Sequence, residues 1–165
     1  MNIIVSAGGT GGHINPALAL INEFKKQEKN LNVLYIGTHN RMEKDIIPNM
    51  NIDYEGIKIN GLSKNPITCL KCLTSTLKGI DKCSKIMKSF KPDVVVGVGG
   101  YVTVPVVLAA HKLNIPIILH EQNSVPGKAN KFLSKYANVV CVSIKDTLKY
   151  FKNGVFTGNP RSEVV

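Results

Sequence analysis

Apolar positions along the chain follow two periods in turn, one of a strand and one of a helix. Residues 2–6 form a short apolar run that ends at Ala7-Gly8-Gly9-Thr10-Gly11-Gly12-His13, after which apolar residues recur at Ile14, Ala17, Leu18, Ile21 and Phe24. The spacing predicts a strand, a glycine loop and a helix. Asn15-Pro16 reads as an N-cap followed by the first helical residue, where a missing proline N–H costs nothing. A second strand is expected at 31–36 and a short helix at 41–48; residues 52–59 alternate as a strand whose phase slips at Glu55-Gly56, the mark of a bulge. From 66 to 90 the period is helical. The β-branched run 93–98 predicts a strand buried on both faces of a parallel sheet, followed by a second glycine turn, Gly97-x-Gly99-Gly100-Tyr101. Helices at 104–113 and 125–136, the latter opening with Pro126, and strands at 115–120, 139–143 and 155–157 complete the series.

Strands alternating with helices predict an α/β fold with a doubly wound, Rossmann-like parallel sheet, whose ligands lie beyond the carboxyl ends of its strands. The turns at 7–13, 97–101 and 120–123 all fall at such ends. With 165 residues, 44% of them hydrophobic, the chain supports one core, assigned to 1–157. Gly158-Asn159-Pro160 is a loop signal, so 158–165 reads as the start of a linker to a further domain. No apolar run approaches the ~18–20 residues that span a bilayer, and the opening residues, which run straight into the glycine cluster, are expected to be structural and not a secretory leader. The four Cys read as reduced thiols of a cytoplasmic protein; Cys69-x-x-Cys72 lies in a helical pattern without the second pair that a zinc knuckle requires, and is expected to be buried.

The glycine loop carries the first candidate chemistry. Five consecutive N–H groups at Gly8–Gly12, against a helix N-terminus, form an expected nest for phosphate. A plain packing turn needs fewer glycines. Gly-x-Gly-x-x-Gly fits neither loop, no Gly-Lys-Ser/Thr is present, and Ile36-Gly37-Thr38 ends the second strand without an acid, which removes the usual dinucleotide and nucleoside-triphosphate readings and nicotinamide-dependent oxidoreduction. His13 stands at the mouth of the nest, where the positive helix end favours a neutral imidazole. His120-Glu121-Gln122-Asn123, four polar residues ending a buried strand, form a second candidate set.

In order and spacing, Ala7-Gly8-Gly9-Thr10-Gly11-Gly12-His13, Arg41-Met42-Glu43, Gly97-x-Gly99-Gly100-Tyr101-Val102, His120-Glu121-Gln122-Asn123 and Gly158-Asn159-Pro160 closely resemble the N-terminal half of the MurG family of bacterial cell-wall glycosyltransferases. The resemblance covers essentially the whole chain. It implies the acceptor-binding domain of a two-domain GT-B fold that moves N-acetylglucosamine from UDP-N-acetylglucosamine to the C4 hydroxyl of the muramyl sugar of lipid I, giving lipid II with inversion and without metal or cofactor. It also implies that Thr10, Gly11, Gly12 and Asn123 touch the donor. Arg161, one position nearer to Gly-Asn-Pro than the family's donor-contacting arginine, is its expected counterpart. Gly8, Gly9, Gly99, Gly100 and Tyr101 then face the acceptor diphosphate. An inverting transfer needs a base. His13 is the first candidate, and Glu121 is the second, either as base or as the group that orients an imidazole. A free-standing, membrane-docking subunit of a split glycosyltransferase would carry the same motifs.

Charge adds a membrane expectation. The net charge is +10, and between positions 64 and 91 seven Lys face a single acid, Asp81. At 100° per residue, Lys71, Lys78, Lys82 and Lys85 fall within a stripe of about 60°. Cys69, Leu70, Cys72, Leu73, Leu77, Ile80, Cys83, Met87 and Phe90 are expected to pack on the opposite side. With a lipid-linked substrate, the stripe reads as docking to anionic headgroups at the cytoplasmic face of the bacterial membrane, with Ile67 and Ile86 inserting beside it. No aromatic residues interleave the lysines, which argues against nucleic acid.

Overall fold

The computed structural model describes residues 1–61 and 66–160, apart from the side chains of Pro66, Thr68 and Cys69; Arg161 and the rest of the expected linker to 165 lie outside the described residues. Seven strands, β1 (Asn2–Ala7), β2 (Asn32–Thr38), β3 (Asp53–Ile57), β4 (Val94–Gly99), β5 (Ile117–Glu121), β6 (Val139–Val142) and β7 (Gly154–Phe156), form one parallel sheet in the order β3-β2-β1-β4-β5-β6-β7. The helices are α1 (Gly11–Gln27), α2 (Glu43–Asn49), α3 (Pro66–Phe90), α4 (Thr103–Lys112) and α5 (Lys128–Leu133), with 3-10 turns at Ser134–Tyr136 and Lys145–Tyr150. This is the expected doubly wound sheet. Alternate β1 residues feed opposite cores: Ile3 and Val5 pack with Ile14, Ala17 and Ile21 of α1, while Ile4 packs with Cys83 and Met87 of α3 and Val106 of α4.

Several local expectations are corrected. α1 begins at Gly11 with Thr10 as N-cap, so Asn15 is not a cap and Pro16 lies inside the helix, buried against the sheet. Proline there costs one bond to the Gly12 carbonyl, and packing of the helix offsets it. β3 shows no bulge, since Ile36↔Glu55 and Gly37↔Gly56 keep regular register. It is an edge strand only partly buried, so strict alternation is not enforced. Gly56 serves close approach instead, because a Cβ there would lie 3.1 Å from the His39 Cα. The irregularity falls between β1 and β4, where Ser6↔Gly97 is followed by Ala7↔Gly99. α5 starts after Gly127 rather than at Pro126, because the Gly127 N–H is bound by Glu121.

α3 also differs in its exposed face. Cys72, Cys83 and Met87 are buried as expected, but Leu70, Leu73 and Leu77 are 63%, 56% and 58% exposed. The contact with α4 is centred on Gly79, whose missing Cβ leaves Pro105 room at 3.0 Å. By helical geometry the leucines stand about 60–120° from the lysine stripe, beside it instead of opposite. Ile67 is 70% exposed, whereas Ile86 is partly buried and packs against the core. Lys82 donates to the Gly56 carbonyl at 2.7 Å and lies 3.8 Å from Glu55, and Lys85 pairs with Asp81 at 2.7 Å. Lys71 and Lys78 are exposed.

Candidate functional site

At the carboxyl ends of β1 and β4 the two glycine loops interlock. The Gly8 N–H donates to the Gly99 carbonyl at 3.3 Å, and the Gly8 carbonyl occupies the space that a side chain on Gly100 would need. Gly99 and Gly100 have φ of +125° and +90°, so both positions favour glycine for conformation as well. The His13 imidazole lies on Gly99, where a Cβ would come within 2.8 Å of Nε2.

The expected nest of five N–H groups is reduced to three. Gly8 is spent on Gly99 and Gly9 donates to Glu43 Oε2 at 3.4 Å, whereas the N–H groups of Thr10, Gly11 and Gly12 at the positive end of α1 have no acceptor among the described residues. Glu43 was quoted only within the Arg41-Met42-Glu43 motif, and sequence reasoning gave it no role. It is fully buried, and its Oε1 accepts from the Thr38 N–H at 3.0 Å and the Thr38 hydroxyl at 2.7 Å, so it pins the end of β2 to the first glycine loop. A Cβ on Gly8 would lie 2.6 Å from this oxygen. Besides that motif, helical spacing was a signal for its burial, since Glu43 stands four residues before the buried Ile47.

Between the loops and the β2–α2 connection lies a cavity of about 210 Å³, lined by Gly8, Gly9, Thr10, His13, Thr38, Arg41, Ile59, Gly61, Gly100, Tyr101 and Val102. It gathers the predicted acceptor-side residues other than Gly99, whose backbone forms the adjoining turn. His13 Nδ1 is 3.2 Å from the Thr10 hydroxyl. Burial pushes the imidazole below its ordinary value of 6.5, against the opposing pull of the Glu121 charge and the main chain at Gly8. Ile59 and Tyr101 are shared with a larger apolar groove of about 520 Å³, to which Leu73 and Leu77 of α3, Val104 of α4 and Phe132 of α5 contribute.

The second set stands at the end of β5. Glu121 is buried and saturated: Oε1 accepts from the Asn123 N–H at 2.9 Å and Nδ2 at 3.0 Å, and Oε2 from the Gly127 N–H and Asn130 Nδ2, each at 3.0 Å. It reaches His13 through its charge and not through a hydrogen bond. The Asn123 amide is correspondingly tied to Glu121. His120 is 3% exposed; its Nε2 lies 3.3 Å from the Ser143 hydroxyl and 3.5 Å from the Gly158 carbonyl, while its buried Nδ1 meets no hydrogen-bond partner within bonding geometry among the described residues. Burial lowers its pKa as well. Among the described residues no three of His, Cys, Asp and Glu gather as a metal site.

Comparison with known proteins places this geometry. Residues 3–142 match the glycosyltransferase family 28 N-terminal domain. Similar curated proteins include the UDP-N-acetylglucosamine--N-acetylmuramyl-(pentapeptide) pyrophosphoryl-undecaprenol N-acetylglucosamine transferases of Halalkalibacterium halodurans, 48% identical, and Bacillus subtilis, 49% identical. Each match covers 100% of this chain, but only 46% and 47% of those proteins, so the chain spans about half their length. Among solved structures, MurG of Acinetobacter baumannii aligns over 98% of this chain and 46% of its own, with a TM-score of 0.83 and 34% identity. A UDP-GlcNAc 2-epimerase from Neisseria meningitidis, 20% identical with a TM-score of 0.69 over 96% of this chain and 46% of its own, shares the fold. The chain belongs to glycosyltransferase family 28, whose N-terminal domain it carries.

Proposed function

We propose that this chain is the acceptor-binding half of an inverting, metal-independent GT-B enzyme that transfers N-acetylglucosamine from UDP-N-acetylglucosamine to the muramyl C4 hydroxyl of an undecaprenyl-diphosphate-linked acceptor. The observation that carries the reading is the small cavity between interlocked glycine loops, lined by Thr10, whose N–H has no acceptor among the described residues, and by an imidazole that burial keeps neutral. The names of the curated relatives supply the reaction. In this reading Gly8, Gly9, Gly99, Gly100 and Tyr101 shape the acceptor-diphosphate site, and Thr10, Gly11, Gly12, Asn123 and Arg161 meet the donor held by a second domain. His13 takes the proton of the attacking hydroxyl. Glu121 holds the 123–130 loop and biases His13 by its charge. The domain docks at the cytoplasmic face of the membrane as a peripheral protein, through Ile67, Leu70, Leu73 and Leu77 with Lys71 and Lys78 beside them.

The test is sugar transfer by the chain joined to its second half. His13→Ala is expected to lower turnover by about 10²–10⁴ while leaving the melting temperature nearly unchanged, because a general base contributes about that much to rate. Near-normal turnover of the variant would remove His13 from the chemistry.

A further inference from the structure

Glu43 is fully buried, yet no Lys or Arg pairs with it among the described residues. A buried charge without a counter-ion is costly, and here three hydrogen bonds offset the cost, from the Thr38 N–H and hydroxyl to Oε1 and from the Gly9 N–H to Oε2. Both oxygens face donors, so an amide would set an NH2 against one of them. Two glycines make room for the side chain: a Cβ on Gly8 would lie 2.6 Å from Oε1, and one on Gly37 2.8 Å from Cγ. Fixing the end of β2 does not by itself require this arrangement, because the Tyr54 hydroxyl of β3 already donates to the Thr38 carbonyl. What Glu43 adds is its hold on the first glycine loop, and that loop leads to the imidazole. The Gly8 N–H donates to the Gly99 carbonyl at 3.3 Å, the Gly8 carbonyl fills the space beside Gly100, and His13 lies on Gly99. Glu43 itself does not line the small cavity.

We infer that Glu43 is a positioning residue for the transfer: it fixes the first glycine loop from behind and, through the interlocked second loop, holds His13 in its buried setting. This rests on the reading of His13 as the base. The first measurement is the His13 pKa, followed by NMR of the imidazole in the chain, with melting temperatures to verify folding. Burial keeps that pKa below 6.5, and the other influences on it are the Glu121 charge and the main chain at Gly8. Glu43→Gln leaves Glu121 untouched but releases Gly9, so water reaches the imidazole and its pKa is expected to rise towards 6.5. Tyr54→Phe is the control, because it loosens the same end of β2 and keeps the Gly9 contact; it should lower the melting temperature and leave the His13 pKa where it was. Thr38→Val, which removes the 2.7 Å hydroxyl bond and keeps the carboxylate, should move the pKa in the same direction by less, and serves where Glu43→Gln fails to fold. In the chain joined to its second half, Glu43→Gln should lower kcat by about 10–10²-fold, as misplacing a reacting group does, with KM changed less than about twofold, while Tyr54→Phe changes neither. An unchanged His13 pKa in Glu43→Gln, the same pKa change in Tyr54→Phe, or a loss confined to KM would overturn the inference. A raised His13 pKa with normal kcat would instead overturn the reading of His13 as the base.

Discussion

Glu121 carries four hydrogen bonds from Asn123, Gly127 and Asn130 at the edge of the site, and that saturation separates its two candidate roles. In Glu121→Gln an amide NH2 must face donors that now face an oxygen, which costs about 1–3 kcal/mol. The expected outcome is a lowered urea midpoint with turnover reduced far less than by His13→Ala; normal stability with turnover lost would return the base to Glu121. His120 predicts a pH effect. Its folded pKa lies below the ordinary 6.5, so the unfolded chain binds the proton more readily, and its contribution to stability is present above that value and lost as pH falls below it. The melting temperature should therefore decline from pH 7.5 towards pH 5, and His120→Gln should flatten the decline. His13, also depressed by burial, acts in the same direction, so an unchanged slope in His120→Gln would assign the acid sensitivity elsewhere.

Helix α3 shows where periodicity is informative and where it stops. Its length and the burial of Cys72, Cys83 and Met87 were legible because they repeat at helical spacing, but the width of the buried stripe was not. That width is set by how closely α4 approaches at Gly79, a contact between Gly79 and Pro105 that has no local signature. The same reasoning divides the four predicted lysines, since Lys82 and Lys85 are engaged within the domain whereas Lys71 and Lys78 stand beside the exposed leucines. Vesicles containing anionic lipid should sediment the chain, and raised salt should release it. Lys71→Glu with Lys78→Glu should weaken the association more than Lys82→Glu with Lys85→Glu. Equal binding to neutral and anionic vesicles would show that the attraction is not electrostatic.

In the molecule as a whole, the sheet and the two glycine loops could be read from the chain because a strand buried on both faces and a glycine-rich turn each leave a contiguous record. The role of Glu43 could not, although its motif was quoted, since it comes from β2 lying next to β1, which brings Glu43 against the glycine loop that lines the small cavity. That cavity also bounds what the chain can hold alone. Sites that enclose small organic ligands usually measure about 300–1,000 Å³, whereas this one, at about 210 Å³, suits a diphosphate better than a nucleotide sugar. Asn123, an expected donor contact, has its amide turned inward to Glu121. These curated relatives are about twice as long, and the proposed function puts the grip on uridine in the half that this chain does not span. Titration of UDP-N-acetylglucosamine into the chain should therefore show no saturation at micromolar concentration, while the chain joined to its second half should saturate. A tight complex with the chain alone would place the donor site within these residues and overturn the division of substrates between two domains.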